Sequence, residues 1–123
     1  MKILLVDDSG VMRVIQRRCL NKLGIEDSDI DDAADGLIAL QKTQTTSYTV
    51  IFTDWNMPNM NGLELLIEIR KNDKVTPVIM VTTEAARPRV LEAVQNGVSD
   101  YLVKPFTQDD LKDKIMKWVG CHV

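Results

Sequence analysis

Four short stretches of the chain are apolar at every position: Ile3 to Val6, Val50 to Phe52, Val78 to Val81 and Tyr101 to Val103. Runs this short, without polar alternation, are the mark of strands whose sheet is covered on both faces by helices. Between them apolar residues recur at helical spacing. Val11, Met12, Ile15, Cys19 and Leu23 form one stripe, Leu63, Leu66 and Ile67 a second, Val90, Leu91 and Val94 a third, and Leu111, Ile115, Trp118 and Val119 a fourth. Each predicts a helix that buries one face against the sheet.

Breakers fall between these segments. Gly24 follows the first stripe, Pro58 and Gly62 flank the start of the third helix, and Gly97 follows the fourth. Asn61-Gly62 taken alone is a hairpin signal, but the stripe behind it requires a helix. Pro88 is expected in the first turn of the fourth helix, where its missing N–H costs little, even though Arg87 before it is biased away from helical backbone.

The segment Asp27 to Asp35 is the ambiguous one, with five aspartates around Ile30, Ala33 and Ala34. It reads either as an edge strand, whose charges discourage pairing with another chain, or as a loop. A short helix containing Leu37, Ile38 and Leu40 follows Gly36. The result is an α/β chain of five strand and helix units without an internal repeat. A doubly wound, open, five-stranded parallel sheet with five flanking helices is the expected fold, with function at the carboxyl ends of its strands.

Composition narrows this further. The 123 residues fit one domain spanning 1–123, and 45% hydrophobic with 27% charged residues suits a folded core under a soluble surface. A net charge of -3 argues against general attraction to nucleic acid. Cys19 and Cys121 form neither a metal cluster nor a disulfide framework and are expected to be unpaired. The first apolar run is four residues long and ends on carboxylates, too short for a signal peptide or a membrane span, so a cytoplasmic location without membrane insertion is expected.

Chemistry enters at the strand ends. Asp7-Asp8 follows the first strand and Asp54 the third, so three carboxylates converge on one rim. Their repulsion calls for protonation or a cation, and one magnesium ion suits an oxygen-rich site that also meets a phosphate. The acidic pair taken alone reads equally as a helix cap beside a solvated residue. Thr82-Thr83 after the fourth strand and Lys104-Pro105 after the fifth add a hydroxyl and an ammonium at the same rim. These are the groups that a phosphoryl group's oxygens require, and a carboxylate such as Asp54 is able to form an aspartyl-phosphate. The sole histidine, His122, lies at the tail and has no part in this arrangement.

LLVDDSGVMR, FTDWNMPNMNG, PVIMVTTEA and NGVSDYLVKPF stand in order between Met1 and about Val119, and together they closely resemble the response-regulator receiver family, its single-domain chemotaxis members above all. The resemblance implies the flavodoxin-like strand order 2-1-3-4-5. It implies a phosphoacceptor at Asp54, magnesium bound directly by Asp8 and through water by Asp7, and a further metal ligand in the backbone carbonyl of Asn56. Thr82, not Thr83, would sense the phosphoryl group, Lys104 would pair with one of its oxygens, and Lys104-Pro105 would be cis. Tyr101 would act with Thr82 as a switch, the alternative being a permanently packed tyrosine.

Ala85, Arg87, Val90, Tyr101 and Lys114 match positions that chemotaxis relatives present to a flagellar-motor switch peptide, with solvated helix charge as the alternative for Arg87 and Lys114. Trp55 would cover the metal site or simply pack. Trp118 reads as a core or interface anchor, and Met57 and Met60 as packing. The implied partners are a chemotaxis-type histidine kinase, a motor-switch protein and a phosphatase, with an inactive state expected to be monomeric and to help its own phosphorylation and dephosphorylation. Competing readings are a phosphorelay intermediate, a sporulation or developmental regulator, a magnesium-dependent phosphatase of small molecules, and a flavodoxin-like cofactor protein. The last is disfavoured by the absence of a glycine-rich phosphate loop after Val6.

Overall fold

A computed structural model describes residues 1–83 and 87–119, with only the backbone described for Arg87 and Pro88. In chain order it contains β1 (Ile3–Val6), α1 (Gly10–Lys22), β2 (Ile30–Ala33), α2 (Gly36–Thr45), β3 (Val50–Thr53), α3 (Gly62–Asn72), β4 (Val78–Thr82), α4 (Arg87–Gln95), β5 (Asp100–Val103) and α5 (Gln108–Trp118). The strands form one sheet in the order β2-β1-β3-β4-β5, and every neighbouring pair is parallel. The expected fold and strand order are both observed.

Alternation within the strands divides the core into two layers. Ile3, Leu5, Val50, Phe52, Ile79, Val81 and Leu102 pack on one side with Leu20 of α1 and Leu111 and Ile115 of α5. Leu4, Val6, Ile51 and Val78 face the other side, against Ala39 of α2 and Leu65, Leu66 and Ile69 of α3. Trp55, Met80 and Ala93 extend that second layer beneath α4.

The predicted α1 stripe is seated only in part, and that of α4 faces largely outward. Cys19 and Leu23 of α1 pack against the core as expected. In α1 the buried residues are Gln16 and Leu20, whereas Val11 is 70% exposed and Ile15 44%. The seated face runs through Met12, Gln16, Cys19, Leu20 and Leu23, and the stripe misplaces its centre because a glutamine occupies one of the buried positions. In α4, Leu91 and Val94 face solvent and Ala93 is buried, since the small residue brings the helix close over Trp55 and Met80. Ile67 of α3 is likewise partly exposed beside the buried Leu65 and Leu66.

The acidic segment resolves into a single 3-10 turn at Asp27–Asp29 and a true edge strand, β2. Asp35 caps α2, its carboxylate accepting from the Ile38 N–H at 2.9 Å. Asn61-Gly62 begins α3 through a reciprocal capping box with Glu64, as the helical stripe demanded. Gly24 ends α1 at φ +92°, a left-handed conformation that suits glycine. Pro88 falls within the first turn of α4, Cys19 is a free thiol, and Cys121 and His122 lie outside the described residues.

Candidate functional site

Main-chain bonds carry the ladder of each strand one residue past its end and so fix the rim. The Asp7 N–H donates to the Ala33 carbonyl at 3.1 Å, the Asp54 N–H to the Val6 carbonyl at 2.8 Å, and the Lys104 N–H to the Thr82 carbonyl at 2.9 Å. Asp7, Asp54 and Lys104 therefore leave the sheet side by side, although 97 positions separate the first from the last. Asp7, Asp8 and Asp54 each bring one carboxylate oxygen within 4.8 Å of the others.

Asp7 is buried, Asp54 half-buried and Asp8 exposed. Asp7 Oδ1 accepts from the Ser9 N–H at 2.9 Å and Oδ2 from Lys104 Nζ at 2.8 Å. Lys104 Nζ also stands 3.4 Å from Asp54 Oδ2, and the other Asp54 oxygen accepts from the Trp55 N–H at 2.8 Å. Burial pushes the Asp54 carboxyl above its ordinary pKa; the Lys104 charge pulls it back, and the Asp7 charge adds to the rise. Burial would lower the Lys104 ammonium, but its bond to Asp7 and the charges of Asp54 and Asp7 outweigh that and hold it above its ordinary value. The three carboxylates, a cluster of hard oxygen donors, suit a divalent oxygen-seeking cation.

The loop after Asp54 is held tightly. The Gly62 N–H donates to the Trp55 carbonyl at 2.8 Å, and a Cβ on Gly62 would lie 2.2 Å from the Asp54 carbonyl oxygen. This contact explains the glycine. Asn56 is exposed, two residues beyond Asp54. Thr82 is fully buried at the end of β4, whereas Thr83 is exposed. Lys104-Pro105 is cis, as the resemblance implied.

A match to the model of the response regulator receiver domain spans residues 3–116. The chain belongs to the response-regulator receiver family. This receiver is 45% identical over 125 aligned positions to the chemotaxis protein CheY1 of Helicobacter pylori, with 99% of each chain covered. Its fold matches that of Vibrio cholerae chemotaxis protein CheY4 with a TM-score of 0.87 at 36% identity, covering 95% of this chain and 97% of that one. The receiver domain of a Pseudomonas aeruginosa sensor histidine kinase, solved with magnesium coordinated in its active-site cleft, matches with a TM-score of 0.87 at 30% identity and 97% coverage of both chains. The receiver is thus closely related to chemotaxis CheY proteins, and its aspartate cluster is consistent with a phospho-accepting site in two-component signalling.

The remaining predicted positions differ in their packing. Tyr101, in β5, is half-buried against the group formed by Trp55, Met80 and Ala93. Val90 is half-buried, Ala85 lies outside the described residues, and the Arg87 side chain is likewise not described. Lys114 is not a freely solvated charge: its ammonium donates to Asp100 Oδ1 at 2.9 Å, and the Trp118 indole N–H donates to Oδ2 of the same carboxylate at 2.8 Å. Trp118 therefore anchors α5 to β5. Trp55 is 3% exposed and packed, with the Arg89 guanidinium 5.0 Å from its ring centre. Met57 and Met60 pack against the second layer.

Sequence reasoning missed Arg13, which donates from Nη1 to the Asp7 carbonyl at 2.6 Å, and Asp100, which collects two lysines and a tryptophan. Arg13 had one signal, its place on the helix that directly follows the acidic pair. Asp100 had none, because its partners are assembled by the docking of α5. No helix among the described residues is long and apolar enough to cross a membrane.

Proposed function

We propose that this receiver accepts a phosphoryl group on Asp54 from the phosphohistidine of a cognate, chemotaxis-type histidine kinase and passes the signal to the flagellar motor from the cytoplasm. The observation that carries this reading is the convergence of Asp7, Asp8 and Asp54 within 4.8 Å, with Lys104 Nζ 3.4 Å from Asp54. Asp8, Asp7, Asp54 and the Asn56 carbonyl would hold one magnesium ion, which when bound supplies positive charge to the phosphoryl oxygens.

The chain's own groups do the rest. An Asp54 oxygen attacks phosphorus, the donor's phosphorus–nitrogen bond breaks with its electron pair leaving on the imidazole, and an acyl phosphate forms. Lys104 meets one phosphoryl oxygen as an ammonium. The Thr82 hydroxyl donates to another, and its movement draws Tyr101 inward, shifting the population of the face formed by Ala85, Arg87, Val90, Tyr101 and Lys114. That face meets the motor-switch protein, a phosphatase ends the signal, and the inactive receiver is a monomer.

Intact-mass measurement after exposure to a phosphodonor and magnesium tests the acceptor. One labile phosphoryl addition is expected on the parent and none on Asp54→Asn; equal addition to both overturns the assignment. A motor-switch peptide should bind the phosphorylated parent more tightly than the unmodified protein. Unchanged affinity would leave a phosphorelay intermediate as the better reading.

A further inference from the structure

The β1–α1 turn that carries the exposed Asp8 is closed by a ring of bonds. The Ser9 N–H donates to the Asp7 carboxylate, Ser9 Oγ accepts from the Met12 N–H at 3.2 Å, and Arg13 of α1 reaches back to the Asp7 carbonyl at 2.6 Å. Arg13 is itself held from the edge of the sheet. Its Nε faces Asp32 Oδ2 at 3.3 Å, a close charge contact outside hydrogen-bond geometry, and this buried Nε has no hydrogen-bond partner. Arg17, one helical turn on, reaches the same carboxylate at 4.0 Å and donates to the Ile30 carbonyl at 3.1 Å.

We infer that Arg13, anchored by Asp32, is a positioning residue for metal binding: it fixes the Asp7 carbonyl and with it the backbone from which Asp8 presents its carboxylate. This rests on the reading that Asp7, Asp8 and Asp54 hold the metal. Asp8 is exposed and gains little orientation from packing, so its placement depends on the turn. A turn already closed loses less freedom when the cation arrives, and groups that orient metal ligands typically carry about 10- to 100-fold in affinity.

Charge alone predicts the opposite sign. Arg13 is a cation beside a cation site, so through-space repulsion would make Arg13→Ala bind a divalent ion more tightly. Positioning makes it bind more weakly. Lysine at this position keeps the charge but has one donor head, which cannot span both Asp7 and Asp32 as the guanidinium does.

The test is binding of manganese(II), read from the free-ion EPR signal, with magnesium as competitor, on the parent and on Arg13→Ala, Arg13→Lys, Asp32→Asn and the double Arg13→Ala/Asp32→Asn variant. Circular dichroism checks that each is folded, and Arg13→Lys and Asp32→Asn carry the test if Arg13→Ala is not. Arg13→Ala should bind roughly tenfold more weakly, with Arg13→Lys and Asp32→Asn in between and the double variant no weaker than Arg13→Ala alone. Affinity in Arg13→Ala equal to or above the parent's, Arg13→Lys indistinguishable from the parent, or additive losses in the double variant would each overturn the inference. A parent that binds neither ion overturns it together with the metal-site reading, whereas a binding parent with unaffected variants overturns the inference alone.

Discussion

Lys104 stands closer to Asp7 than to Asp54, with Nζ 2.8 Å from Asp7 Oδ2 and 3.4 Å from Asp54 Oδ2. Asp7 is the fixed end of this triangle, since its backbone N–H, its carbonyl and both carboxylate oxygens are all bonded. The lysine is therefore held beside Asp54 by a residue that is not the proposed acceptor.

Replacing Lys104 should have two separable effects. Lys104→Ala leaves the buried Asp7 carboxylate without its cation, a loss on the order of 3–5 kcal/mol when one partner of a buried pair is removed. Urea unfolding measures it. The folded fraction should also lose peptide affinity on phosphorylation while Asp54 still takes up label.

Asp54→Asn should stabilise the metal-free protein at neutral pH. The folded state raises the Asp54 pKa, so it binds the proton more tightly than the unfolded chain does. The group's contribution to stability is then full below its unfolded value, near 4, and is lost as pH rises through the higher folded value. Melting temperatures in chelator should show the asparagine variant above the parent at pH 7, with the gap shrinking as the pH falls through the raised folded value and closed once it is below about 4.

Asp100 behaves in the opposite sense. Burial alone would raise its pKa, but the bonds from Trp118, Lys114 and the Tyr101 N–H bring it down to about 2. Its stabilisation is present above the unfolded value near 4 and disappears as pH falls through about 2. Asp100→Asn should therefore cost on the order of 2 kcal/mol at pH 7, shrinking to nothing near pH 2, in urea titrations. Trp118 fluorescence should shift in the variant as the indole loses its carboxylate.

Gly62→Ala should harm both fold and site. The added carbon would press on the Asp54 carbonyl, a backbone atom that yields only by moving the acceptor. A loss of about 1–3 kcal/mol is expected, together with slower phosphorylation per folded molecule. Asn61→Ala, one residue earlier, removes only the cap, and should cost about 1 kcal/mol with phosphorylation unchanged.

Features set by local sequence were legible without coordinates. Unbroken apolar runs such as Ile3 to Val6 require a sheet covered on both faces, and carboxylates directly after strands require a rim site, because chain direction and side-chain chemistry are written in adjacent residues. The motif order named the family for the same reason. Which face α4 buries was not legible, and that of α1 only in part through Cys19 and Leu23, since Gln16 and Ala93 are seated by the neighbours they meet, not by their own hydrophobicity. The closeness of Asp7 to Lys104, the capture of Lys114 by Asp100 and the contact of Arg13 with Asp32 belong to tertiary structure alone. Each joins segments that become neighbours only when parallel strands take a common register and helices dock across them, and that register is a property of the whole sheet.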